Sequence, residues 1–147
     1  MPRLRTPWRQ QGVAAVELAL VLPLLLVLAM ATVDIGRAIY HYSLLTQAVR
    51  QAVRFLSMQA PGEGTVTARK LLIYGNPEGT GSPVVPGLQA AQVPDPVWQT
   101  VGAAPPIWVV TVRVSAYRYQ GLFGSFWGQR VDGWVFGDIS ASMRASQ

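Results

Sequence analysis

Residues 13–33 read VAAVELALVLPLLLVLAMATV, and this stretch decides the fold. Glu17 is its one charged residue, and Leu, Val and Ala supply nearly all the others. As a helix these residues would extend over about 31 Å, the thickness of a bilayer's hydrocarbon core. The stretch is therefore predicted to be a transmembrane helix, which Pro23 should bend because proline removes a backbone donor.

The charges beside this span predict its orientation. Arg3, Arg5 and Arg9 precede it with no acidic residue among them, and Asp34 follows it directly. The positive-inside bias then places residues 1–12, a basic leader, in the cytoplasm. Residues 34–147 are expected to form an extracytoplasmic, periplasmic domain anchored in the inner (cytoplasmic) membrane.

A cleaved secretory signal is the competing interpretation, because Ala29-Met30-Ala31 resembles a signal-peptidase site. The apolar run is longer than a usual signal, however, and it contains Glu17. A helical apolar stripe also continues beyond the predicted cut as far as Ser57, which favours a retained helix. The stripe consists of Ile35, Ala38, Ile39, Tyr42, Leu45, Val49, Ala52, Val53 and Leu56.

Composition excludes several classes of site. The chain has 147 residues, enough for one domain, with 50% hydrophobic residues, no cysteine and one histidine. Disulfides and cysteine-ligated metals are excluded, and one histidine leaves little for metal or acid–base chemistry. The net charge is +5, but without the three leader arginines nine basic residues face seven acidic ones. Nucleic acid is therefore not expected as a partner.

Glu17 needs an explanation, because an ionised group inside a bilayer costs roughly 2.5 to 3.5 kcal/mol and usually has a partner. It could be protonated, or its side chain could reach the cytoplasmic surface. Alternatively, a protease could cut between Gly12 and Val13. The new α-amino group on Val13 would then lie four residues from Glu17, where it could neutralise the carboxylate and set the register between neighbouring helices.

The N-terminal sequence resembles the TadE-like family, pilin-related proteins of tight-adherence pilus systems. The likeness is carried by GVAAVELALVLP at residues 12–23, DIGR at 34–37 and QAVRQAVR at 47–54, with weaker similarity at 72–77 and 143–144. It implies a pilin-like protein: a minor pseudopilin made as an inner-membrane precursor and cut by a prepilin peptidase. Other pilins, pseudopilins and pilus assembly proteins would be its partners, and it could enter the pilus after processing.

The segment just outside the membrane is predicted to remain helical. Asp34 and Arg37 can pair where the helix leaves the lipid. The apolar stripe beyond them could pack against the domain or form a groove for a partner helix. His41 is expected to be a solvated interfacial residue. Residues 65–74 should form a second helix, with Thr65 or Thr67 as a cap and Gly75 as its stop.

The C-terminal half alternates apolar and polar residues with strand periodicity. Residues 107–119 and 135–143 are predicted to be strands that pair as an antiparallel hairpin and bury their apolar faces on the helix. Residues 75–106 contain 7 of the 11 prolines, although 97–101 could form an edge strand. The fold class is therefore α+β: a long N-terminal helix, its first half transmembrane, followed by a small domain with an antiparallel sheet.

Between the two strands, residues 121–128 place three aromatic residues, Phe123, Phe126 and Trp127, among glycines. These side chains could fold onto the core, or they could form an exposed contact for a pilin partner or the membrane.

Two functions remain compatible with the sequence. The first is the processed minor pseudopilin. The second is a permanently anchored periplasmic binding module whose Gly12 is never cut. An enzyme is not expected, because the sequence shows no paired carboxylates or nucleophile motif, and neither a cofactor nor a small-molecule substrate is expected.

Overall fold

The computed structural model describes residues 10–121 and 133–145. Helix α1 occupies Gln10–Ser57 and helix α2 Thr65–Tyr74, and a 3₁₀ turn follows at Ala90–Gln92. The strands are β1 at Val97–Val101, β2 at Ile107–Val114 and β3 at Ile139–Arg144. A long apolar helix followed by a small domain with an antiparallel sheet confirms the predicted α+β class.

The sheet has three strands in the order β1-β2-β3, and both pairs are antiparallel. Trp98 of β1 lies opposite Val110 of β2, and Val112 lies opposite Ala141 of β3. The predicted β2–β3 pairing and the edge strand β1 are therefore confirmed. Prolines on both sides of β1, at 94, 96, 105 and 106, confine this edge strand to five residues.

Both predicted hairpin strands are shorter than the alternation suggested. Strand β2 ends at Val114, and Ala116 has a φ of 54°, a left-handed conformation that interrupts the extended chain. Val135 forms an isolated bridge with Arg118 and does not belong to β3, which begins at Ile139. The predicted strands at 107–119 and 135–143 were therefore wrong at these ends.

The chain divides into two compact units, residues 1–36 and 37–147. The second unit contains the hydrophobic core, in which buried side chains of α1, α2, the proline-rich segment and the sheet form one cluster. Its most completely buried members include Leu45, Val49, Val53, Leu56, Leu72, Val85, Val110, Val114 and Tyr117. The helix stripe from Leu45 to Leu56 therefore packs against its own domain, as predicted.

The N-terminal part of the predicted stripe is not buried. Ile35, Ile39 and Tyr42 are exposed, whereas Ala38 is buried. Ile39 lies about 120° around the helix from Leu45, so a helix that buries Leu45 turns Ile39 away from the core. The opposite, exposed face of α1 carries Arg37, Arg50 and Arg54, and residues 35–62 contain no carboxylate.

Helix α2 stops where the sequence predicted but starts differently. Gly75 follows its last residue with a φ of 73° and donates its N–H to the Leu71 carbonyl, as expected of a glycine stop. Gly64 is the N-cap, with no side-chain capping bond, so neither Thr65 nor Thr67 caps the helix. The Thr65 hydroxyl donates instead to the Gly62 carbonyl.

Candidate functional site: the N-terminal helix and its exit

Helix α1 begins with an apolar segment that nothing in the described part of the chain covers. All side chains from residue 12 to residue 29 are exposed. The most apolar 18-residue window has a mean hydropathy of 2.6 and none of it is buried, whereas the core helix of a soluble protein would be mostly buried. By length and composition the helix can cross a membrane, and its exposed leucines and valines favour membrane anchoring.

Gly12, Val13 and Glu17 lie together at the start of this segment. Both the Gly12–Val13 peptide bond and Glu17 are inside α1, and Glu17 is exposed. Four residues of helix put Glu17 about 6 Å beyond Val13 along the axis. The scissile bond predicted from the sequence is two residues from the helix start, where backbone N–H groups lack helical partners. The roles assigned to these three residues stay predictions.

The apolar segment contains one proline, Pro23, and one hydroxyl-bearing side chain, Thr32. Pro23 lies inside α1, which continues on both sides of it. The Thr32 hydroxyl donates to the Leu28 carbonyl at 2.9 Å, so it needs no water. Such internal bonds suit a helix in lipid, where unsatisfied polar groups are costly. The bend at Pro23 stays a prediction.

The exit residues Asp34 and Arg37 are both in α1 but belong to different compact units. Asp34 is partly buried and Arg37 is exposed. Their predicted ion pair stays a prediction.

A buried polar contact that the sequence did not reveal lies just beyond the exit. His41 is buried, so its assignment as a solvated residue was wrong. Its Nδ1 atom lies 3.3 Å from the Tyr117 hydroxyl, and its ring meets the Tyr119 ring edge-on at 5.2 Å between centroids. Helical spacing could have indicated this burial, because His41 is three residues after the buried Ala38 and four before Leu45.

The hydrogen bonds of the Tyr117 hydroxyl favour one tautomer of His41. The Tyr117 hydroxyl has one proton, which it donates to the Pro86 carbonyl at 2.8 Å. For the contact with His41 to be a hydrogen bond, Nδ1–H must therefore donate to the hydroxyl oxygen. The pair thus joins α1 to the proline-rich segment and to the chain after β2.

Burial changes the pKa of both His41 and Tyr117. Desolvation lowers the pKa of His41 below 6.5, and the nearby Arg37 charge lowers it further. Burial also raises the pKa of Tyr117. Both groups are therefore neutral at pH 7, which suits a structural contact.

A second polar link lies between α2 and the loop before β1. Arg69 Nη2 donates to Asp95 Oδ1 at 2.7 Å and to the Val93 carbonyl at 3.1 Å. Next to it a cavity of about 10 Å³, lined by Leu72 and Val112 among others, has room for roughly one water molecule. Sequence spacing gave no signal for this pair, because its members are 26 residues apart.

The predicted contact residues Phe123, Phe126 and Trp127 lie outside the described residues. The two chain ends that flank them are held together, because the Tyr119 N–H donates to the Trp134 carbonyl at 2.8 Å.

Comparison with known proteins adds one match. The model of the family described as TadE-like protein matches residues 12–54, beginning at Gly12 and including Glu17, Pro23, Asp34 and Arg37. Comparison with curated proteins and with solved structures finds no match. This family points to a protein associated with the tight-adherence pilus. The resemblance predicted from the sequence is therefore confirmed over residues 12–54, where the chain is similar to TadE-like proteins.

Proposed function

We propose that the chain is a minor pseudopilin of a tight-adherence pilus. It is made as an inner-membrane precursor with its N-terminus in the cytoplasm and residues 34–147 in the periplasm. A prepilin peptidase cuts it after Gly12, and the mature protein joins other pilins and pseudopilins during pilus assembly. Its role is that of an assembling subunit and not of an enzyme.

The observation that carries this proposal is the family match over residues 12–54. The match starts at the glycine that precedes the proposed cut and leaves out the basic leader. The uncovered apolar face of residues 12–29 supports the same proposal, because a helix of this kind needs either lipid or neighbouring helices around it.

The proposed cut is hydrolysis of the Gly12–Val13 peptide bond. Water adds across the bond, leaving a carboxylate on Gly12 and an α-amino group on Val13. Gly12 lies in the first turn of α1, and an added Cβ there would meet no atom within 4 Å. Glycine also weakens a helix by roughly 0.5–1 kcal/mol relative to alanine, so this turn opens readily for a peptidase.

The cut also changes the surroundings of Glu17. A helix that starts at Val13 has the positive end of its dipole and a new ammonium group within about 6 Å of Glu17 along the axis. The ammonium group of the same helix, or of a neighbouring helix shifted along its axis, can thus supply a positive charge. The precursor has no such charge at the membrane depth of Glu17. Removal of three leader arginines also lowers the cost of extracting the helix from the membrane.

Mass spectrometry of the N-terminus tests the proposal. The chain is expressed in cells with and without a prepilin peptidase, together with the variant Gly12→Val, whose side chain should block the cut. We expect a mature species beginning at Val13 only when the peptidase is present and Gly12 is intact.

The other outcomes are distinct. A chain that still begins at Met1 in cells with active peptidase supports the anchored binding module. A chain that begins at Thr32 supports a secretory signal. Either result overturns the pseudopilin proposal.

A further inference from the structure

Three residues of α1 in the second unit, and one residue shortly before β3, have large apolar or aromatic side chains that are exposed. Ile39, Tyr40, Tyr42 and Trp134 are each more than half exposed. We call these four residues the exit belt, because Ile39 is only five residues after Asp34, where the predicted span ends. Exposed aromatic groups of this size in one region indicate a surface that contacts something other than water.

Ring and backbone contacts fix the positions of two belt residues, Tyr42 and Trp134. Tyr42 meets Phe136 edge-on, with ring centroids 5.7 Å apart. Phe136 also packs against Tyr117 at 5.5 Å and stacks parallel to Tyr119 at 6.3 Å. Trp134 is two residues before Phe136, and its carbonyl accepts the Tyr119 N–H. Tyr42 of the helix and Trp134 of the segment before β3 are therefore exposed beside the same aromatic cluster.

The chemistry of the exit belt suits the polar layer of a bilayer. Tyr and Trp combine a large apolar ring with a polar atom, and they concentrate where membrane and water meet. Arg37, nearby in the chain, is exposed and can approach lipid phosphates. No carboxylate in residues 35–62 would repel those phosphates.

Chain length keeps the exit belt close to the membrane. Ile39 is the sixth residue after Val33, the end of the predicted span. Even a fully extended chain of six residues reaches only about 20 Å, and a helix reaches about 9 Å. One polar layer of a bilayer measures about 5–7 Å, so a helical Ile39 lies only a few ångströms beyond it, and its side chain leans back towards the helix N-terminus, which is the membrane side. Lipid is thus the partner always within reach of this surface.

We propose that the exit belt is a lipid-binding surface that contacts the polar layer of the membrane its own helix crosses. This requires membrane anchoring but not the cut after Gly12. An uncleaved anchored protein would therefore contradict the proposed function and leave this inference untouched.

Fluorescence of single tryptophans tests the inference on the full chain. One variant keeps only Trp134, with Trp8, Trp98, Trp108 and Trp127 changed to Phe. The matched control keeps only Trp108, about a third exposed in β2 and about 20 Å along that strand from Val114. Both proteins are placed in phosphatidylcholine nanodiscs with and without brominated acyl chains, after circular dichroism has shown that they fold alike.

We expect brominated lipid to reduce the emission of Trp134 and to leave that of Trp108 unchanged. Aqueous acrylamide should quench Trp108 more than Trp134. Equal bromine quenching of the two tryptophans, or none at either, would overturn the inference. Protection of Trp134 from acrylamide without bromine quenching would show that protein covers the belt, and it would overturn the inference as well.

A second pair of variants tests the helix side of the belt. In the protein with Trp134 alone, Ile39→Ser combined with Tyr40→Ser should reduce bromine quenching, because two membrane contacts are lost. Gln47→Ser, an exposed change on the same helix, should leave the quenching unchanged. Equal quenching in the two variants would contradict a belt that includes the helix.

Discussion

At the scale of single residues, Glu17 and His41 are both polar groups in apolar surroundings, but they obtain their partners in different ways. His41 has a hydrogen-bond partner inside its own domain, and burial keeps it neutral. Glu17 lies on an exposed apolar helix, where proteolysis would create its partner. Glu17 should therefore matter for assembly, and His41 for folding.

Glu17→Ala should insert into the membrane at least as well as the wild type, because it removes a cost of roughly 2.5 to 3.5 kcal/mol. It should enter pili poorly if Glu17 sets the register as proposed, since the variant lacks that charge. Membrane fractionation and immunoblotting of sheared pili measure the two effects. Leu18→Ala, which keeps the charge, is the control, and normal incorporation of Glu17→Ala would remove the register role.

The pH dependence of stability should come from His41, the one histidine of the chain. Its pKa is lowered in the folded state, so the unfolded state binds more protons as the pH falls below 6.5. Stability should therefore be full above pH 6.5 and decline as the pH falls from there towards the lowered folded-state pKa. Thermal unfolding followed by circular dichroism measures this over the range from about pH 5 to about pH 8, in which histidine titrates.

Two variants show whether the pH dependence of stability comes from the titration of His41 or from its hydrogen bond with Tyr117. His41→Asn keeps a donor near Tyr117 but cannot titrate, so its stability should change little between about pH 7 and about pH 5. Tyr117→Phe removes the hydrogen bond but leaves His41 buried, so it should keep the pH dependence. An unchanged pH profile in His41→Asn would rule out His41 as the source.

At the scale of elements, the packing of α1 on its domain depends on the stripe around Leu45. Leu45 is completely buried within the core cluster. Leu45→Ala should reduce the free energy of unfolding by about 2–5 kcal/mol, through lost burial and a cavity. Gln47→Ala, on the exposed face, should change it by less than about 0.5 kcal/mol. Urea denaturation in detergent compares the two, and equal effects would contradict the observed packing.

Sequence periodicity predicted the elements better than their ends. The alternation in residues 107–114 specified a half-buried strand, and the glycine at 75 specified the end of α2. The end of β2 was not predictable, because the left-handed turn at Ala116 has no glycine to reveal it. The hydrogen bond of His41 depends on Tyr117, 76 residues away, so no local pattern could supply its partner.

The N-terminal helix and its family resemblance were predictable, because their signals lie within one stretch of sequence, whereas the roles of its site residues stay predictions. Gly12, Glu17 and Pro23 are close in sequence, and the family match covers all three. The exit belt was only partly foreseen, since Ile39 and Tyr42 were assigned to the buried stripe. Helical spacing places Tyr42 near the edge of that stripe, and only the tertiary packing shows on which side of the edge it lies.

At the scale of the whole molecule, the core is confined to one of the two units. All buried hydrophobic residues of the described chain lie at or beyond Ala38. A chain that starts at Arg37 should therefore fold without the apolar segment and unfold cooperatively near the midpoint of the intact protein. Differential scanning calorimetry measures this, with a chain starting at Thr46 as the control.

The shorter control lacks Ala38, His41 and Leu45, so it should show no cooperative transition. If both truncated chains unfolded alike, the first turns of α1 in the second unit would contribute nothing to the core.

The exposed arginines of α1 have a consequence for the packing of two copies of the chain side by side. Arg37, Arg50 and Arg54 are exposed, and no acidic residue lies between Asp34 and Glu63 to offset them. Two copies aligned along this stretch would bring like charges together, an arrangement that low ionic strength penalises most. Self-association along this face is therefore disfavoured. In the proposed pilus, this chain should therefore insert among unlike neighbours and not build a homopolymer.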